Sequence, residues 1–143
     1  MRIFAVLLGG FFASVGAFAA ECTDFSGAYV WVADGMSTSL RIQQTGCEKL
    51  DAAYDYGDDV VLTRSMIFDG VKRPMQPTST SLEGFLLKDS VILVEGELHA
   101  DEDTFRSAGK IYLDSHKNLI EETSYFDKNG REIAHGSIQY NRQ

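Results

Sequence analysis

Ser81-Leu82-Glu83-Gly84-Phe85-Leu86-Leu87-Lys88-Asp89-Ser90-Val91-Ile92-Leu93-Val94-Glu95-Gly96-Glu97-Leu98-His99 carries the pattern that decides the fold. Two runs rich in strand formers flank the turn signal Lys88-Asp89. In the first, Leu82, Gly84 and Leu86 share one alternating set; in the second, Val94, Gly96 and Leu98 do. A period of two is the period of a β-strand. Two strands joined by so short a turn must run antiparallel.

The same unit repeats in both directions. Downstream, strands are predicted over 104–113, 119–126 and 131–140, separated by turns at 114–118 and at Asp127-Lys128-Asn129-Gly130. Upstream they are predicted over 27–33, 37–44, 47–56 and 59–68. These end at Asp34-Gly35, Thr45-Gly46, Gly57-Asp58 and Asp69-Gly70, where glycine accepts the positive φ of tight turns. Residues 71–78 are the exception. Pro74 and Pro77 cannot donate to a ladder, so this stretch is an edge or a loop. No stretch reads as a helix. The chain is expected to be all-β: one antiparallel up-and-down meander of about eight to nine strands, curled into a barrel that removes exposed edges.

Glycines support the curling. Gly109 shares a face with Ser107 and Ile111, and Gly136 with Ala134 and Ile138. With Gly84 and Gly96, four strands thus carry a glycine near the middle of their more apolar face. Either the strands bend sharply there, or the missing side chains leave an internal cavity for a ligand.

Residues 1–19 read as an address. Met1-Arg2 precedes an apolar and small run broken only by Ser14, which ends at Ala17-Phe18-Ala19, a small-x-small cleavage pattern. This is a Sec-type signal. Its dense apolar part is about half of what a membrane span needs. Glu21 before Cys22 excludes a lipoprotein anchor. The expected organisation is a cleaved signal peptide at 1–19, its helix outside the fold, and one β-barrel domain at 20–143. The expected location is the periplasm or the outside.

The signal segment holds one Arg and no acid. Its removal leaves 12 Lys+Arg against 21 Asp+Glu, a net charge of −9. Such a charge repels phosphate backbones and anionic lipid, so no nucleic-acid or membrane-surface partner is expected. Two cysteines, Cys22 and Cys47, allow one intramolecular disulfide in an exported protein. It closes a loop of about 26 residues, worth roughly 3–4 kcal/mol in the chain-entropy account. No C-x-x-C spacing supports a redox pair. No zinc-ligand spacing links the cysteines with His99, His116 or His135. No metal and no cofactor are expected.

Asp24-Phe25-Ser26-Gly27-Ala28-Tyr29 resembles the opening strand of the calycin group, which includes lipocalins, fatty-acid-binding proteins and avidins. In that group Gly-x-Trp opens the first strand and the aromatic closes one end of the barrel. Here Tyr29 holds that place, with Trp31 two residues on and on the same face. Lipocalins often stack a late arginine on this aromatic, and Arg142 lies near the corresponding place. The resemblance implies a barrel and the capacity to bind a small ligand. The Cys22–Cys47 pairing does not follow the usual lipocalin connection. The chain is also similar to small secreted bacterial inhibitors of proteases and lysozymes, often barrels with an N-terminal disulfide. For these the Pro74–Pro77 segment would be an inserting loop.

Catalytic patterns are absent: there is no G-x-S-x-G, H-E-x-x-H or P-loop, so no enzyme is expected. Glu121 and Glu122 are adjacent, so they point to opposite faces of a strand and form no dyad; one of them can point inward. Asp101-Glu102-Asp103 and the Asp127–Gly130 turn contain oxygen ligands of the kind Ca²⁺ takes, but hairpin turns use the same residues. Arg64 is in register with Val60, Leu62, Met66 and Phe68. Inward, it would be a cation needing a ligand acid or an inward Glu. With Val61, Thr63, Ser65 and Ile67 inward instead, it is a surface residue, and that assignment is preferred. Tyr54 and Tyr56 share a face with Leu50 and suit a pocket or a core. The candidate ligand-binding set is therefore Tyr29, Trp31, Tyr54, Tyr56 and Arg64. The expected function is a non-catalytic exported binding protein holding a small apolar or amphipathic molecule. The alternative is an inhibitor that binds a secreted hydrolase, either a protease or a lysozyme.

Overall fold

The computed structural model describes residues 21–76, 79–100 and 103–143. The expected signal segment 1–19, Pro77 and the Asp101-Glu102 pair lie outside the described residues. Ten strands follow one another: β1 (Gly27–Ala33), β2 (Met36–Thr45), β3 (Lys49–Asp55), β4 (Val61–Ile67), β5 (Arg73–Pro74), β6 (Ser81–Lys88), β7 (Val91–Ala100), β8 (Asp103–Leu113), β9 (Leu119–Phe126) and β10 (Glu132–Arg142). The expected eight or nine strands are thus corrected to ten. The additional one is β5, two residues long, at the end of the sheet where proline's missing N–H costs no ladder bond.

All ten form one antiparallel sheet in the order β4-β3-β2-β1-β10-β9-β8-β7-β6-β5. Every neighbouring pair is a hairpin of consecutive strands except β1 with β10, which pairs the first strand with the last. The turns show why the hairpins form. At Asp34-Gly35 both residues have positive φ, 50° and 78°. That geometry matches the twist of the strands it joins, and a β-branched pair could not adopt it.

The sheet curls into a half-barrel. Its end regions meet where Gly70 N–H donates to Phe85 C=O at 2.8 Å, and no ladder joins β4 to β6. On the other side β1 meets β10 at Tyr29↔Arg142 and Val30↔Asn141. Above that short ladder, β10 exposes both faces from Glu132 to Gln139. The expectation of a barrel holds as a curled antiparallel sheet with an open side.

Most of the strand glycines sit where neighbouring atoms come too close for a side chain. A Cβ on Gly109 would lie 2.5 Å from the backbone oxygen of Glu122, and one on Gly96 would collide with Ser107 Oγ. Gly84 does not share the inner face as expected. Phe85 points into the core, and Gly84 faces the opposite way, under the backbone of Gly70 and Lys72. Only Gly136 opens onto free space.

Register divides the inner face into two levels. The lower level is an apolar core that includes Phe25, Tyr29, Leu40, Ile42, Leu50, Met66, Phe85, Ile92, Ile111 and Leu119. Phe25 and Tyr29 are fully buried, and the Tyr29 hydroxyl donates to Phe25 C=O at 2.8 Å. The Arg142 guanidinium lies over the Tyr29 ring at 5.8 Å and donates to Ser26 C=O. This closes one end of the curl with the aromatic–arginine stack that the sequence resemblance implied. The Cys22–Cys47 disulfide anchors the segment leading into β1. Gln44 adds to this: its side chain accepts from Phe25 N–H and donates to Thr23 C=O and Gly46 C=O.

Candidate functional site

Alternation within β4, β6 and β9 places three charged residues on the inner face, one level above the apolar core. Met66 on β4 is 3 % exposed, so Arg64, two residues earlier, points the same way. Phe85 on β6 carries Glu83 with it, and Leu119 on β9 carries Glu121. The preference for Arg64 as a surface residue is therefore corrected. Val61, Ser65 and Ile67 face solvent, and the Arg64 side chain retains 17 % exposure. The β-branched residues of β4, Val61, Thr63 and Ile67, all lie on the other face, which made that face look like the inner one. β4 ends the sheet, so its outer face can carry Val61 and Ile67 without burying them.

The three charges meet although they come from distant parts of the chain. Arg64 Nη2 donates to Glu83 Oε2 in a tight ion pair, and Arg64 Nη1 stands 3.9 Å from Glu121 Oε1. The guanidinium also lies over the Phe85 ring, 5.0 Å from its centroid. Its Nε is buried without a hydrogen-bond partner. Burial alone would lower the tendency of Arg64 to hold its proton. Glu83, Tyr54 and Glu121 together outweigh that and raise its pKa. Burial raises the pKa of Glu121, with Arg64 opposing and Glu83 adding to the shift. Burial likewise pushes the Tyr54 and Tyr140 hydroxyls upward. Tyr54 and Tyr140 contact edge-to-face with ring centroids 6.4 Å apart.

Above this charged floor lies a cavity of about 310 Å³. Its walls include Val94, Leu98, Phe105 and Tyr125, interleaved with Ser81, Ser107 and Thr123. Ligand pockets run from roughly 300 to 1,000 Å³, so this one suits a small molecule. A floor of fixed charges and a partly apolar wall can orient an amphipathic molecule with its polar end down. An open groove of about 540 Å³ lies around the turns at Gly35 and Gly57 and is lined by Trp31, Met36, Thr38 and Tyr56. It is larger but holds no buried charge.

The five candidate residues are thus dispersed. Arg64 lines the cavity over the charged floor. Tyr54 packs in the core among the electrostatic neighbours of Arg64. Tyr56 is half exposed, stacks on Tyr54, and with Trp31 lines the separate groove. Tyr29 is sealed in the closed end. Glu83 and Tyr140 were missed. The signal for Glu83 was an acid in mid-strand on the same alternation as Phe85 and Leu87. Elsewhere, His135 meets Ser124 on the convex face, His99 meets Thr104, and Asp103 is paired with Lys128.

No protein-family model and no curated protein sequence matches this chain. Among solved structures, a point mutant of the fluorescent protein UnaG superposes with a TM-score of 0.59 at 10 % identity, covering 83 % of this chain and 96 % of that one. At that identity the likeness is one of fold. What the two share is a curled antiparallel sheet.

Proposed function

We propose that this protein is an exported, non-catalytic binding protein that holds a small amphipathic molecule on the concave face of its sheet, as lipocalin-type barrels do. One observation carries the reading: the cavity of about 310 Å³ has a floor of largely buried charges from β4, β6 and β9, Arg64 ion-paired with Glu83 and 3.9 Å from Glu121. Burying charge is costly. A core needing only stability would place apolar side chains there, as the level below does. The Sec-type segment and the disulfide support a periplasmic or external location.

Native mass spectrometry of the mature protein, purified from its own secretory compartment, tests the reading. A defined mass increment that vanishes on denaturation is the expected result. A protein that stays bare there, and takes up no small amphiphile offered in solution, overturns it.

A further inference from the structure

The occupant's chemistry can be narrowed further, on the reading that the cavity binds a small amphipathic molecule. The inner face offers one guanidinium and two carboxylates. Arg64 is committed to Glu83 by a direct ion pair and to Phe85 by its ring face. The second carboxylate, Glu121, meets Arg64 only at 3.9 Å, beyond hydrogen-bond length. The other charged residues lining the cavity, Glu97 and Arg106, stand opposite each other in the β7–β8 ladder, and Glu97 also bonds Lys72. The fixed charge of the floor is therefore negative, and its least satisfied group is a hydrogen-bond acceptor. An entering carboxylate would face Glu121 and compete with Glu83 for Arg64. An entering ammonium would find Glu121 at hand and leave the Arg64–Glu83 pair intact.

We infer that the polar end of the bound molecule is a cationic hydrogen-bond donor, an amine or amidine on a short apolar body, seated against Glu121 beside the Arg64–Glu83 pair. Burial raises the pKa of Glu121 and Arg64 opposes that rise only in part; a cation seated beside the carboxylate opposes it further.

The test titrates the full mature protein at pH 7 by isothermal calorimetry with three probes of equal length: octylamine, octanol and octanoate. It is run in 0.3 M salt, which screens the general acidity of the protein. Octylamine is expected to bind one-to-one and at least tenfold more tightly than octanoate, with octanol between them. In Glu121→Gln the octylamine affinity is expected to fall about tenfold, while octanol binding changes less than twofold. Octanoate binding as tightly as octylamine, or an unchanged preference in Glu121→Gln, overturns the charge assignment and leaves the cavity reading standing. Failure of all three probes to bind saturably overturns both. The wild-type ranking needs no variant, so it decides the matter even where Glu121→Gln does not fold.

Discussion

Replacing Arg64 by Met keeps the length and apolar stem of the side chain and deletes only the cation. Glu83 and Glu121 are then left on the inner face, 17 % and 22 % exposed, with no positive partner in the cluster. Removing one member of a fully buried pair costs about 3–5 kcal/mol. The residual exposure of all three side chains lowers that to about 2–4 kcal/mol. Loss of the contact with Phe85 falls within the same figure. For a domain of this length the Arg64→Met melting temperature should drop by roughly 8–15 °C. Urea unfolding followed by far-UV dichroism and by Trp31, the single tryptophan, gives the free energy directly. The deficit should also depend on pH. The folded pKa of Glu121 is raised, so its burial penalises folding at pH above its ordinary value of 4.5 and ceases to do so as pH falls below it. Losing Arg64 enlarges that penalty, so the gap to the wild type should narrow between pH 7 and pH 4. A change below 0.5 kcal/mol at pH 7, with no pH dependence, would mean that Arg64 is a surface residue in solution. The site described here would then be refuted.

Four further outcomes are expected. Cys22→Ser with Cys47→Ser, which opens a crosslink 25 residues apart in sequence, should cost about 3 kcal/mol, and thermal melts with and without reductant should converge in that variant. Tyr29→Phe removes a buried hydroxyl that satisfies Phe25 C=O at 2.8 Å, and should cost about 1–2 kcal/mol in urea unfolding. Gly109→Ala should destabilise by about 1–3 kcal/mol, because its Cβ would meet the Glu122 backbone oxygen at 2.5 Å. Gly136→Ala, with no atom within 4 Å of its Cβ, should be neutral or stabilising by about 0.5 kcal/mol, and equal effects in the two would contradict the close backbone approach at Gly109.

Alternation and turn chemistry made the strand order readable residue by residue. β1 spans Gly27–Ala33, as the sequence predicts, because Gly27 and the Asp34-Gly35 turn bracket an uninterrupted run of strand formers. The Tyr29–Arg142 stack was legible too, through the resemblance of six residues. The site was legible only in fragments. Glu121 stood out as one of an adjacent pair, while Glu83 did not stand out at all. Arg64 was assigned to the wrong face.

The physical reason is common to all three. A period of two says which side chains share a face, but it does not say which face becomes concave. That choice belongs to the curl of the whole sheet. It is made by Met66, Phe85 and Leu119, three residues far apart in the chain that enter one core together. Once they do, Arg64, Glu83 and Glu121 must follow them inward, two residues away on each strand. The sequence by itself therefore determined an all-β meander, its turns and its one disulfide pairing. Tertiary structure alone decided that a cation and two carboxylates would share the interior, because only curling brings β4, β6 and β9 face to face.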